Sequence, residues 1–287
     1  MKIEKLSLRH RDLLQPRLKS ASCLLSEYSF ANLYLFRETH GYQVFTDGDH
    51  VFILGRTYDG FRFVMPTTDI RDSGLDSLMS AAQGQDGIFP VPEEWLGKLE
   101  EKGGKATFSD GDSDYIYTVE KLAAYKGPKL HGQKNLLNQF LARFTPDAKP
   151  LTRELMPDAR AVLEAWQEDV GEDKQATDYF PCREAFELYD ELILCGGIYY
   201  IENEPAGFII GEEITPEIFA LHFAKGKRKF KGLYQYMFNQ FAKILPRQYV
   251  FMNLEQDLGK LALRIAKSSY DPDRILKKYR VCMTMNR

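Results

Sequence analysis

Apolar and polar positions follow strand and helix periods in turn along the chain. Residues 42–55, YQVFTDGDHVFILG, and residues 198–211, IYYIENEPAGFIIG, each give a strand, a polar turn and a second strand ending in glycine. Residues 115–119, YIYTV, precede EKLAAY, and residues 249–252, YVFM, precede NLEQDLGKLALRIAK, so a strand again leads into a helix. The two matches occur in the same order, which predicts a duplicated α/β module. Residues 60–65 read as a further strand, and residues 75–82 and 93–102 as helices. Leu136, Leu137, Phe140 and Leu141 share one helical face, with Phe144 one turn on. Pro157 suits a first helical turn, and a helical pattern continues from Ala159 to Val170. The polar, proline-bounded stretch 145–151, TPDAKPL, is the expected join. It divides the chain into an N-terminal module, 1–145, and a C-terminal module, 151–287.

The densest chemistry lies in residues 217–241. EIFALHF, 217–223, has strand character, and from Leu233 the apolar positions Leu233, Met237, Phe241 and Ile244 or Leu245 have helical spacing. Between them stand Lys225, Lys227, Arg228, Lys229, Lys231 and then Gly232. Strand, basic loop, glycine and helix is a geometry that presents backbone N–H groups and a positive helix end to an anion. The competing reading is a solvated basic loop. Gly232 permits a close backbone approach or an unusual φ.

Asn253, Glu255 and Asp257 follow directly on the strand at 249–252, where side chains of α/β proteins commonly line sites. Asp257 is either a substrate-facing group or the N-cap of the next helix. That helix has Leu258, Leu261, Ala262 and Ile265 on one face and Lys260, Arg264 and Lys267 on another. Tyr270 is either a proton donor or a packed aromatic. His222 is the only histidine of five beside this group, and a lone strand-end histidine is more often structural than catalytic.

Composition restricts the function classes. The 287 residues are 44% hydrophobic and 13% aromatic, enough for a proper core. A formal charge of −3 does not describe a general nucleic-acid coat, so anion binding must be local. Cys23, Cys182, Cys195 and Cys282 are scattered, which fits a reducing, cytoplasmic compartment and no structural zinc. No uncharged run approaches a membrane span, and MKIEKLSLRHRDLL is too charged for a secretory signal. SDGDSD, 109–114, lacks the glycine and glutamate of an EF-hand loop and reads as a solvated turn; no metal is expected. Neither a Walker loop, nor G-x-G-x-x-G, nor H-E-x-x-H, nor G-x-S-x-G occurs.

HFAKGKRKFKGLYQYMFNQFA together with NLEQDLGKLALRIAKSSYDPDRILKKY resembles the C-terminal-domain family of bacterial phosphatidylglycerol lysyltransferases. SEYSFANLYLF (26–36), residues 113–140 and GGIYYIENEPAGFIIGE (196–212) extend the resemblance over most of the chain. It implies two tandem GNAT-like acyltransferase modules, each a mixed sheet flanked by helices. It also implies that the loop after the fourth strand of the second module lies by the donor's phosphates. Carried residue by residue, it gives Lys225, Lys231, Gly232, Leu233 and Tyr234 as cofactor-binding. Asn253, Gln256, Arg264 and Lys267 are then substrate-binding, and Glu255, Asp257, Tyr270 and His222 catalytic. The chain departs from the family pattern at Ala224, Leu254 and Ala262, where an acidic residue, an arginine and a glycine are usual, and it lacks the namesakes' membrane-spanning half.

The leading expectation is a soluble acyl- or aminoacyl-transferase. The donor is acyl-CoA or aminoacyl-tRNA, and the unnamed acceptor carries an amine or hydroxyl. Glu255 or Asp257 is the expected base and Tyr270 the acid for the leaving group. The alternative is a non-catalytic nucleotide-, coenzyme- or RNA-binding module on the same duplicated fold. A peripheral protein that touches anionic lipid through 225–231 is a third reading.

Overall fold

The computed structural model describes residues 1–72 and 74–283. Among the described residues fourteen strands run in chain order: β1 (Lys2–Lys5), β2 (Gln43–Asp47), β3 (His50–Arg56), β4 (Arg62–Pro66), β5 (Gly87–Val91), β6 (Gly104–Phe108), β7 (Asp114–Thr118), β8 (Pro146–Pro150), β9 (Cys195–Ile201), β10 (Glu204–Thr215), β11 (Ile218–Gly226), β12 (Phe251–Asn253), β13 (Arg274–Leu276) and β14 (Tyr279–Met283). They form two seven-stranded mixed sheets, ordered β1-β2-β3-β4-β5-β14-β6 and β13-β7-β12-β11-β10-β9-β8. In each, three antiparallel pairings lead to one parallel pair, β4–β5 or β11–β12. Antiparallel β14 and β7 then follow at corresponding places.

The duplication predicted from the hairpins is therefore real, and β2–β3 and β9–β10 occupy the same places in their sheets. The second sequence match is not an equivalence. Residues 115–118 fall on β7, which lies antiparallel beside β12 in one sheet, with Met252 opposite Tyr117. The strand that corresponds to β12 is β5. Short aromatic strands followed by a helix look alike wherever they stand, so sequence pattern alone did not separate them.

The expected join at 145–151 also falls elsewhere. Pro146–Pro150 is an edge strand, antiparallel to β9. Proline is tolerated there because an outward N–H has no ladder partner to lose, so an edge strand and a linker read alike. Compactness divides the chain into Met1–Asp114, Gln256–Gly259 and Ile275–Arg287 as one unit, and Tyr115–Glu255 with Lys260–Arg274 as the other. Among the described residues no helix is long and apolar enough to cross a membrane.

In the second unit, Tyr117, Tyr125, Phe140, Tyr199, Phe219, Met237, Phe241 and Tyr270 form an aromatic-rich core beneath the helix Leu233–Ile244. The first unit is pinned by a buried charge cluster. The Lys278 ammonium, fully buried, lies 2.7 Å from Asp114 Oδ1 and 2.7 Å from Glu27 Oε2. It also donates to Ser26 Oγ at 2.9 Å and Gln256 Oε1 at 3.0 Å. These contacts fix 256–259 and β14 to the N-terminal part of the unit. Burial pushes the Glu27 carboxyl up to about 7; Lys278 opposes this, but its single charge is shared with Asp114.

A raised carboxyl favours the folded state while protonated, so that contribution fades as pH rises through about 7. Glu27→Gln removes the titration, and its melting temperature relative to the wild type should climb between pH 5 and pH 8. Lys278→Met leaves two buried carboxylates without a cation, and denaturant unfolding should show a loss of about 3–5 kcal/mol.

Candidate functional site

The second sheet parts at its centre. β11 pairs with β12 over only Ile218–Phe251, Phe219–Met252 and Ala220–Asn253. β12 then ends while β11 continues to Gly226. A register shift against β10 places Ile210 opposite Phe223 and Gly211 opposite Leu221, so His222 is the extra residue of a bulge. Beyond Asn253 the chain turns sharply, and Glu255 takes the left-handed conformation at φ +57°.

His222 and Glu255 meet where the strands part. His222 Nδ1 lies 2.7 Å from Glu255 Oε1, and Nε2 lies 2.8 Å from Glu212 Oε1. The imidazole side chain is fully buried, while the two carboxylates keep a small exposure. Burial disfavours the charged ring, but the Glu255 charge and hydrogen bonds to both glutamates outweigh it and push the ring up to about 10. Each ring nitrogen faces a carboxylate oxygen, so both act as donors and His222 is an imidazolium. It is not a proton acceptor at neutral pH. The corresponding parallel pair of the first unit has no ionisable side chain from Phe63 to Thr68 or along β5, so this arrangement belongs to the second unit.

The other sequence-derived residues scatter over several roles. Asn253 Oδ1 accepts from the Glu255 N–H at 2.7 Å. Lys267 Nζ donates to Leu254 O at 2.6 Å and to Glu255 O at 3.1 Å. Gln256 and Asp257 belong to the first unit. Gln256 joins the Lys278 cluster, and the buried Asp257 accepts from Gly259 N–H at 2.8 Å. The expected helix cap at Asp257 is not formed, because the helix begins only at Leu261. Tyr270 is buried among Tyr117, Tyr125 and Phe238, with the Phe238 ring 5.4 Å away; burial pushes its phenol well up. Arg264 lies on Leu261–Ser268, half-buried. That helix buries none of its residues, and Leu261 and Ile265 of its expected inner face are 70% and 62% exposed. Its inner attachments are polar, which hydrophobic periodicity does not register.

The basic loop is largely neutralised by the protein itself. Lys225 still lies in β11, with Nζ 2.7 Å from both Asp178 oxygens and 3.9 Å over the Trp166 ring. Lys227 and Lys229 share Glu204 at 2.7 and 2.8 Å. The Arg228 N–H donates to Asp169 Oδ2 at 2.7 Å, and the Gly226 N–H to Tyr234 Oη at 3.1 Å. Leu233 is a core residue. Arg228 and Lys231 are exposed and make no ion pair among the described residues. Gly232, at φ +93°, is required by packing: a Cβ there would stand 2.8 Å from Leu136 O and 2.8 Å from Phe140 Cβ. Sequence reasoning missed Glu212, Asp178 and Glu204, whose roles depend on strand register and long-range pairing.

The family model for the phosphatidylglycerol lysyltransferase C-terminal region matches residues 24–282. The chain belongs to that family. An uncharacterised protein of Mycoplasmoides gallisepticum is 22% identical over 204 residues, 68% of this chain; the match spans 63% of that relative's length. A conserved protein of unknown function from Bacteroides thetaiotaomicron superposes with a TM-score of 0.87 at 24% identity, covering 99% of this chain and 100% of the other. L-PGS from Bacillus licheniformis gives 0.63 at 16% identity, with 96% and 92% covered. A tandem GNAT protein from the clavulanic acid biosynthesis pathway gives 0.50 at 8% identity, with 98% of each chain covered. The fold is thus a tandem GNAT-like one.

Gly232→Ala distinguishes packing from ligand approach at the helix start. The added methyl meets backbone in a strained conformation, so unfolding without ligand should show a loss of about 1–3 kcal/mol. An unchanged melting temperature would contradict the packing role.

Proposed function

We propose that the second unit transfers an acyl or aminoacyl group from a carrier thioester or ester to an amine or hydroxyl acceptor, with Glu255 as the proton acceptor. The observation that carries this reading is the Glu255 carboxylate, held in a left-handed turn where β11 and β12 part and bridged there to an imidazolium. Strained backbone that the surroundings over-determine is characteristic of working sites. The His222 ring holds one Glu255 oxygen at 2.7 Å and so fixes the direction in which the carboxylate faces.

In the reaction, the acceptor's nitrogen or oxygen attacks the carbonyl carbon and gives its proton to Glu255. The new N–C or O–C bond forms, the carrier's C–S or C–O bond breaks, and the released thiolate or alkoxide takes that proton back from Glu255, which restores the carboxylate. Tyr270 is set aside as the acid, since its ring is packed in the core. Arg228, Lys231 and the start of the helix Leu233–Ile244 offer the cationic approach for the carrier's phosphates. CoA thioesters and aminoacyl-tRNA both fit that description. The family name supports the second, and the GNAT-like fold the first.

Melting curves with acetyl-CoA, CoA and an aminoacyl-tRNA mixture test for the carrier. A carrier at 100 times its dissociation constant should stabilise the fold by about 2.7 kcal/mol. With that carrier and a panel of amines, Glu255→Gln should lower transfer by about 100-fold or more while carrier stabilisation persists. Wild-type transfer by Glu255→Gln would remove Glu255 from the chemistry. Stabilisation without transfer by the wild type would favour a binding module.

A further inference from the structure

The polar contacts around residues 253–267 assign a role to two side chains that do not face a substrate. We propose that Asn253 and Lys267 are positioning residues: they hold the backbone of Glu255 in its left-handed turn and so set its carboxylate against His222. The proposal deepens the reading of Glu255 as the proton acceptor and rests on it.

Glutamate has no intrinsic preference for φ +57°, and such a conformation strains the backbone. The turn persists because its polar groups are met from several sides. Asn253 is fully buried, and its Oδ1 accepts from the Glu255 N–H at 2.7 Å. The Glu255 carbonyl accepts from Tyr115 N–H at 3.2 Å and from Lys267 Nζ at 3.1 Å. The Leu254 carbonyl accepts from the same ammonium at 2.6 Å, while the Leu254 N–H donates to Tyr115 O at 2.9 Å. The backbone of 254–255 is thus tied to β7 on one side and to Lys267 on the other.

Lys267 reaches this turn from the helix Leu261–Ser268, none of whose residues is buried. Since the helix buries no residue, polar contacts hold it. The Lys267 carbonyl accepts from Tyr117 Oη at 2.7 Å, and the next residue past the helix, Ser269, accepts from Gln133 Nε2 at its carbonyl, 3.1 Å. The ammonium that the family pattern assigned to substrate is therefore occupied by two backbone carbonyls. Without Asn253 or Lys267, the turn loses hydrogen bonds that offset its strain, and the relaxed backbone carries the carboxylate away from the ring.

The imidazole reports that movement without any substrate. The charged groups facing His222 are Glu212 from β10 and Glu255 from the turn, with Lys225 further along its own strand. Removing an opposite charge from within hydrogen-bond distance lowers a histidine midpoint by about 1–3 pH units. The test is a pH titration of ¹⁵N-histidine-labelled full-length protein followed by NMR. Glu255→Gln calibrates the readout and should bring the His222 midpoint down by that amount. Lys267→Met and Asn253→Ala should each lower it by about one unit or more. Lys267→Arg, which keeps donors for both carbonyls, should restore it.

A merely structural role would lower the melting temperature of these variants and leave the midpoint in place. Folded Lys267→Met and Asn253→Ala proteins with the wild-type His222 midpoint would overturn the proposal. If Lys267→Met does not fold, Asn253→Ala and Lys267→Arg decide the matter by the same measurement. Because the titration needs no carrier or acceptor, failure of the transfer assay and failure of this positioning role are separate results.

Discussion

Three paired residues between β11 and β12 set the terms for the rest of the second unit. Once the two strands part, their facing backbone groups need other partners, and the gap needs a bridge. His222 supplies it from the bulge in β11, with Glu255 on one nitrogen and Glu212 on the other. A buried cation between two carboxylates is stable only because each ring N–H is satisfied and the negative partners outweigh the desolvation of the ring. The bridge in turn dictates a turn after Asn253 that brings a glutamate, and not its neighbours, to the imidazole.

The positive loop beside this centre acquires a different meaning in that context. Lys225 ties β11 to Asp178 and Trp166, and Lys227 and Lys229 neutralise Glu204. Most of its charge therefore organises the fold, and a smaller part, on Arg228 and Lys231, faces outward. In the first unit Lys278 has a wholly structural role, enclosed among Glu27, Asp114, Ser26 and Gln256. In both units a lysine is a buried structural cation.

What was legible in the sequence follows from what local pattern encodes. The β2–β3 and β9–β10 hairpins show as alternation broken by polar turns, and the helix Leu233–Ile244 shows as a one-sided apolar stripe; both stand where the pattern put them. Glu255 was readable as a group just past a strand, whereas His222, read at a strand end, lies inside β11 at a bulge. Glu212 was not, since its relation to His222 depends on a register shift that no single strand displays. The exchange of partners that places β7 beside β12 and β14 beside β5 was equally hidden, because sheet neighbours far apart in sequence leave no periodicity. The helix Leu261–Ser268 misled for a related reason: its stripe faces outward, and polar contacts hold its inner side.

The account stands on the His222–Glu255 pair acting as one unit, and a double-mutant cycle measures that directly. Denaturant unfolding of the wild type, His222→Gln, Glu255→Gln and the double variant at pH 7 isolates their interaction from the cost of each substitution. A coupling of about 1–3 kcal/mol is the predicted result. Additivity to within about 0.5 kcal/mol, with all four proteins folded, would mean that the two groups do not depend on one another and would contradict the account.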